Sequence, residues 1–374
     1  MKVMLLSGGN TIHTLRWANG LAAAGVAVVC VSQHDFLPQD WDTRIERVRL
    51  PWTPMLGYFG NGAAVAGLFA ERGCDVLNAH YATGYGLLAL RSGVRPCVLS
   101  VWGSDVYDFP AVSPLHRQLV CATLRSADVV ASTSHAMADQ VERLLGSRPL
   151  RDPIAITPFG VDTARFAPAP RERHGRGPLV IGTIKKLEPK YGIDTLIHAF
   201  ARLSTAAGCA PPLLRLVGEG AQRGELQALA DRLGVTPRVQ FVGAVAHAQV
   251  PEQLHSFDIF AAASRLDSES FGVAVIEASA CGLPVVVTRA GGLPEVVRRG
   301  ETGLVVEREN PAALAEALQR LIDDPTLRAR LGAAGRAHVQ ACYEWDTSVQ
   351  TMIDVYRQAL RVSSLGRLPA GQVR

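Results

Sequence analysis

What most limits the fold of this chain is an alternation repeated along its whole length: a short, almost wholly apolar run, then a segment of helical composition. In the first half the apolar runs are Lys2–Leu6, Val26–Val31, Val76–Ala79, Cys97–Val101, Val129–Ser132 and Ile154–Thr157. The helical segments between them are Thr14–Ala24, Gly62–Arg72, Leu115–Arg125 and Ala136–Leu145. A Pro- and Gly-rich stretch from Pro158 to Pro178 then interrupts the pattern and reads as an interdomain linker. A second series follows, with runs at Leu179–Thr183, Leu213–Val217, Val239–Val242, Ile259–Ala261, Val285–Thr288 and Leu304–Val306. Its helices are expected at Asp194–Ala207, Gly224–Leu233, Glu252–His255, Gly272–Cys281 and Ala312–Ile322. Near-continuous apolar strands separated by helices predict parallel sheets covered on both faces, here two Rossmann-like halves in tandem. The last long segment, Thr347–Arg361, carries apolar residues at helical spacing, and the final dozen residues read as a frayed tail.

Within the second series, Glu269-Ser-Phe-Gly-Val-Ala-Val-Ile-Glu277 carries the most chemistry. A helix starting near Gly272 puts Glu277 about one turn inside it and leaves Glu269 in the preceding loop. Orphan N–H groups around Phe271, Gly272 and Val273 then form an anion site between two carboxylates. That layout suits phosphate in the middle and hydroxyl-rich rings at both ends, as in a nucleotide sugar. A Glu in the first turns of a helix is ordinarily solvated and favoured by the dipole. Glu277, however, sits among Val273, Ala274, Val275, Ile276 and Ala278, with hardly any polar stripe. A carboxylate away from the surface needs partners.

The totals agree with a two-domain globular chain of 374 residues, 48% hydrophobic and 19% charged. No apolar run approaches the roughly 18 residues that span a bilayer. The start reads as a first strand, too short for a signal-peptide core. Seven scattered cysteines make neither a disulfide framework nor a CxxC pair, which suggests buried thiols in a cytoplasmic protein. A net charge of +4 gives no reason to expect nucleic acid. Only four of the 38 basic residues are Lys, and Lys185, Lys186 and Lys190 cluster, which suits either a phosphate or a solvated loop. The ten His residues show no zinc spacing and there is no Asp-x-Asp dyad, so no catalytic metal or other cofactor is expected.

The stretch from Ser268 to Val287, followed by Gly291-Gly-Leu-Pro-Glu-Val-Val, resembles the retaining glycosyltransferases of family 4. Gly182–Gly192 with Asp194–Phe200, Val217-Gly-Glu-Gly220, Phe241-Val-Gly243, Phe159-Gly-Val-Asp162 and His13-Thr-Leu-Arg-Trp-Ala-Asn19 support it. The resemblance implies an α/β fold of GT-B type: two Rossmann-like domains with parallel sheets facing a central cleft. It implies an acceptor-binding domain at 1–168, a nucleotide-sugar-binding domain at 177–345 and a helix at 346–362 crossing back. Loops after the strands, from Ser7–His13 to Arg289–Glu295, are expected to converge on that cleft.

Carried over by motif, Glu277 accepts the donor's ribose hydroxyls and Glu269 meets the transferred sugar. The amides of Phe271, Gly272 and Val273 hold sugar and diphosphate, with Gly9, Gly218 and Glu219 on the donor side. Of the family's basic pair, Lys186 matches the first member, and Tyr191 stands at the usual Lys with Lys190 one residue early. One of Lys185 and Lys190 is expected to be essential beside Lys186, with Lys190 the preferred choice. Trp102 stands where the family often has His. His80 and Asp105 then become candidates for acceptor handling, against readings as a satisfied strand-end His and a loop-capping Asp. His13, Arg16 and Trp102 complete the acceptor side.

The implied activity is transfer of a hexose from a UDP- or GDP-sugar to a glycan, lipid-linked or small-molecule acceptor. A sugar-nucleotide 2-epimerase and an inactive sugar-nucleotide-binding subunit are the alternatives. Arg44, Arg47 and Arg49 with Trp41, Pro51 and Trp52 suggest either a peripheral membrane contact or an ordinary solvated edge.

Overall fold

The computed structural model describes residues 1–38, 40–169, 177–205 and 210–365. Residues 170–176 of the expected linker, the end of the helix expected up to Ala207, Cys209 and the expected tail beyond Leu365 lie outside the described residues. The chain divides into two compact units, Met1–Pro158 with Asp346–Arg374, and Phe159–Trp345.

The first unit runs β1 (Lys2–Leu6), α1 (Ile12–Ala23), β2 (Ala27–Ser32), β3 (Glu46–Arg49), α2 (Gly57–Gly60), α3 (Gly62–Glu71), β4 (Val76–His80) and α4 (Gly84–Ser92). It continues with β5 (Cys97–Val101), α5 (Asp108–Ala111), α6 (Pro114–Ser126), β6 (Val129–Ser132), α7 (His135–Leu145) and β7 (Ala155–Ile156). The strands form one parallel sheet in the order β3-β2-β1-β4-β5-β6-β7. Met4, Leu6, Leu77 and Leu99 are buried in its core, as double-sided coverage demands. The helices start where short polar side chains take up orphan amides: Thr11 caps α1, Ser113 caps α6 and Ser134 caps α7.

The second unit runs β8 (Val180–Ile184), α8 (Ile193–Phe200), β9 (Leu213–Val217), α9 (Arg223–Arg232), β10 (Val239–Gly243), α10 (Val250–His255), β11 (Ile259–Ala262) and α11 (Val273–Ala280). After these come β12 (Val285–Thr288), α12 (Leu293–Val296), β13 (Gly303–Val306), α13 (Pro311–Asp323) and α14 (Pro325–Cys342). Its parallel sheet has the order β10-β9-β8-β11-β12-β13. The helix α15 (Trp345–Leu365) then returns the chain to the first unit. There the hydroxyl of Tyr356, fully buried, donates to Asn78 Oδ1 at 2.9 Å.

Six elements go beyond the sequence reading, among them the short helices α2, α5 and α12. The segment Glu46–Arg49 pairs with β2 as an edge strand, and its alternating charged residues blunt the free edge. The helices α4 and α14 also form, although neither stretch shows a clear helical signal.

Candidate active site

In the second unit the loops that follow β8, β9, β11 and β12 are stitched together by backbone bonds. Lys185 N donates to Val217 O, Leu187 N to Glu219 O, Arg265 N to Lys190 O and Gly292 N to Glu269 O. The turn after β9 depends on Gly218: at φ +140°, a Cβ there would lie 1.9 Å from Lys185 O. Gly272 caps α11, so the first turn of that helix presents its amides beside Glu269. The ring of Phe271 points away, packing edge-on against Phe159 and Tyr343, so only its backbone can meet a ligand at the helix tip.

Both acids are buried, Glu269 at 7% exposure and Glu277 at 4%. Each is met by a base from a distant loop. Lys185 Nζ donates to Glu269 Oε1 at 2.7 Å, and His247 Nε2 to Glu277 Oε1 at 3.0 Å. His247 follows β10 and is steadied by Arg165, which donates to its carbonyl, and by the ring of Phe166. Of the three clustered lysines, Lys185 is the one set against the motif acid. Lys186 is 73% exposed and lies 3.7 Å from Glu188. Lys190 Nζ sits 4.9 Å from the centre of the Tyr191 ring, and Lys185 Nζ sits 5.1 Å from the same ring. Glu219 is half-exposed and ion-paired with Arg223.

In the first unit Trp102 gathers the rings of His80 (4.4 Å), Tyr81 (5.0 Å) and His13 (5.7 Å). Arg16 lies one turn along α1 from His13 and is partly buried. His80 and Asp105, the candidates for acceptor handling, are both engaged by neighbours within the first unit. His80 Nε2 donates to Asn78 Oδ1 at 3.1 Å, which makes Nδ1 the acceptor for Ser7 Oγ at 3.0 Å. Burial, with His13 adding repulsion, lowers its pKa to about 3, which favours the neutral ring. Asp105 accepts from the amides of Ala82, Trp102 and Gly103 and clasps two loops together. Burial raises its pKa while those amides pull the other way. Both oxygens are engaged by backbone. At Gly9 a Cβ would come within 2.6 Å of Phe36, so that ring lies against the space the missing side chain leaves.

A cavity of about 360 Å³ elsewhere, lined by Arg95, Arg125, Asp128, Arg151 and Val362, lies at the starting ends of β5 and β6 and contains none of these residues.

Comparison with known proteins points the same way as the motifs. The sequence profile described as "Glycosyl transferases group 1" matches residues 169–338, and the one described as "Glycosyl transferase 4-like" matches residues 2–134. The chain is 32% identical to the GDP-mannose-dependent monoacylated alpha-(1-6)-phosphatidylinositol monomannoside mannosyltransferase of Corynebacterium glutamicum, over 84% of this chain and 85% of that one. It is 35% identical to the GDP-mannose-dependent alpha-(1-6)-phosphatidylinositol monomannoside mannosyltransferase of Mycolicibacterium smegmatis, over 70% of each. In fold it resembles the sucrose-phosphate synthase of Thermosynechococcus elongatus, with a TM-score of 0.80 at 23% identity, covering 96% of this chain and 99% of that one.

Proposed function

We propose that this chain, which belongs to the group 1, 4-like glycosyl transferases and carries their GT-B fold, transfers a hexose with retention from a nucleoside diphosphate sugar to a hydroxyl of a lipid-linked acceptor. That it is a glycosyltransferase follows from the family; donor, stereochemistry and acceptor are our reading. The observation that carries it is the buried pair Glu269 and Glu277 flanking the first turn of α11, with Lys185 beside the first acid.

In this reading Glu277 takes the ribose, the amides at Gly272 and Val273 take the diphosphate, and Glu269 takes the hydroxyls of the sugar. Lys186 and Lys190 neutralise the departing diphosphate, and its oxygen accepts the proton of the incoming hydroxyl, so no histidine base is required. No metal enters this scheme; undiminished turnover in chelator is its check. GDP-mannose is the first donor to test, because both mannosyltransferases named above are called dependent on it.

We place the enzyme in the cytoplasm, touching a membrane surface through its first unit. No helix among the described residues is long and apolar enough to cross a membrane. Trp52, Met55, Leu56 and Phe59, within eight positions, are 54–78% exposed. The basic side of the expected patch is largely spent locally: Arg44 pairs with Asp42, Arg49 with Asp35, and Arg47 lies near the rings of Phe36 and Trp41. The contact proposed is therefore more apolar than basic.

The test is transfer from GDP-mannose and UDP-glucose to lipid extracts by the parent, Glu269→Gln and Glu277→Gln. Losing a hydrogen bond to a charged group predicts a fall of roughly 10- to 100-fold in kcat/KM for each. Parent-like kinetics in both variants would overturn the assignment. Nucleotide-sugar binding without transfer would favour an inactive subunit.

A further inference from the structure

Three lysines lie near the first motif acid, and the geometry separates them. The side chains of Lys185 and Glu269 are 12% and 8% exposed, the lowest combined exposure of any ion pair among the described residues. Lys185 leaves β8 with its amide bonded to Val217 O, its backbone passes against Gly218, and its ammonium lies by the Tyr191 ring. The stem and the charge are therefore both fixed. A buried carboxylate left without a partner is costly, so without the lysine this one would turn towards solvent.

We propose that Lys185 is the positioning residue of the donor site. Through Oε1 it holds Glu269 in one orientation, with Oε2 presented to the hydroxyls of the sugar being transferred. Tyr191 contributes an aromatic face that Lys185 shares with the ammonium of Lys190. Lys185 thus governs recognition of the hexose, not of the nucleotide. This inference rests on the reading of Glu269 as the sugar contact.

The experiment uses the full chain with K185M, K185R, E269Q and the double variant K185M/E269Q. Donor kcat and KM, affinity for GDP alone, and discrimination between GDP-mannose and its deoxy analogues are measured. K185M is expected to lose about 10- to 100-fold in kcat/KM. It should also lose most discrimination against the deoxy donor whose missing hydroxyl meets Glu269, while GDP affinity stays within about twofold. K185R should recover part of the loss, because it keeps the charge but not the shape. The double variant should be no worse than E269Q, since one residue acts through the other. If K185M does not fold, the double variant against E269Q still decides, because the unpaired buried charge is then gone. Normal kinetics in K185M beside a crippled E269Q would overturn the role of Lys185 and leave the donor reading standing. A double variant several-fold worse than E269Q would do the same. A fully active E269Q would remove the donor reading itself.

Discussion

Replacing Gly291 by Ala offers a quantitative check on how the Glu269 loop is built. Gly291 has φ +50°, and a Cβ there would lie 2.2 Å from Glu269 O and 2.6 Å from Asp267 O. Both are backbone atoms, so no side chain can rotate out of the way. An L-residue in the left-handed region costs about 1–2 kcal/mol, and relief of an overpacked contact typically costs about 1–3 kcal/mol more. The sum, roughly 2–5 kcal/mol, corresponds to a fall of about 5–15 °C in Tm for a unit of this size. Gly300 supplies the control: its φ is +79° and nothing lies within 4 Å of its Cβ position. Gly300→Ala should cost only the backbone component, about 1–2 kcal/mol and a few degrees. Thermal melting followed by circular dichroism gives both numbers, and transfer assays well below the transition give a second readout. Gly291→Ala should lose turnover there, because the displaced carbonyl belongs to Glu269, and Gly300→Ala should not. Equal melting temperatures for the two variants, or full turnover in Gly291→Ala, would refute the argument.

His247→Asn should raise the donor KM about 10-fold or more with a smaller effect on kcat, because Glu277 loses a charge-assisted partner, as steady-state kinetics will show. An unchanged KM would count against that contact. The first unit should lose stability on mild acidification. His80 takes its proton near 6.5 when unfolded and only near 3 when folded, so the stability present above 6.5 is lost as pH falls towards 3, at about 1.4 kcal/mol per unit. Urea melts of His80→Gln between pH 7 and 4 should show a correspondingly flatter dependence than the parent, and parallel curves would dismiss this cause. Trp52→Ser with Phe59→Ser should cut sedimentation with anionic vesicles at least several-fold, and at high salt the parent should keep most of its binding if apolar insertion dominates.

The fold was legible where a strand is buried on both faces, because burial leaves only apolar residues. The runs at Lys2–Leu6, Cys97–Val101, Leu213–Val217 and Val285–Thr288 coincide with strands. Elements whose residues serve a neighbour were not. In α14, Gly332 weakens the helical signal, yet a Cβ there would meet Gly282 O at 2.1 Å, so the glycine permits close packing. The edge strand β3 carries Glu46, Arg47 and Arg49 because one side faces solvent. At the site, the two glutamates could be read from their apolar surroundings. Their bases could not: Lys185 is 84 residues from Glu269 and His247 is 30 from Glu277, distances that only the parallel sheet closes. A buried carboxylate announces that a partner exists without saying which loop supplies it.

The return of α15 to the first unit has a consequence for biosynthesis. Residues 159–345 emerge from the ribosome as one uninterrupted block, whereas the unit begun by β1 must wait for Tyr356 to reach Asn78. The nascent amino-terminal half therefore stays incomplete while the later half matures, and a stop codon just before Asp346 would leave it permanently unfinished.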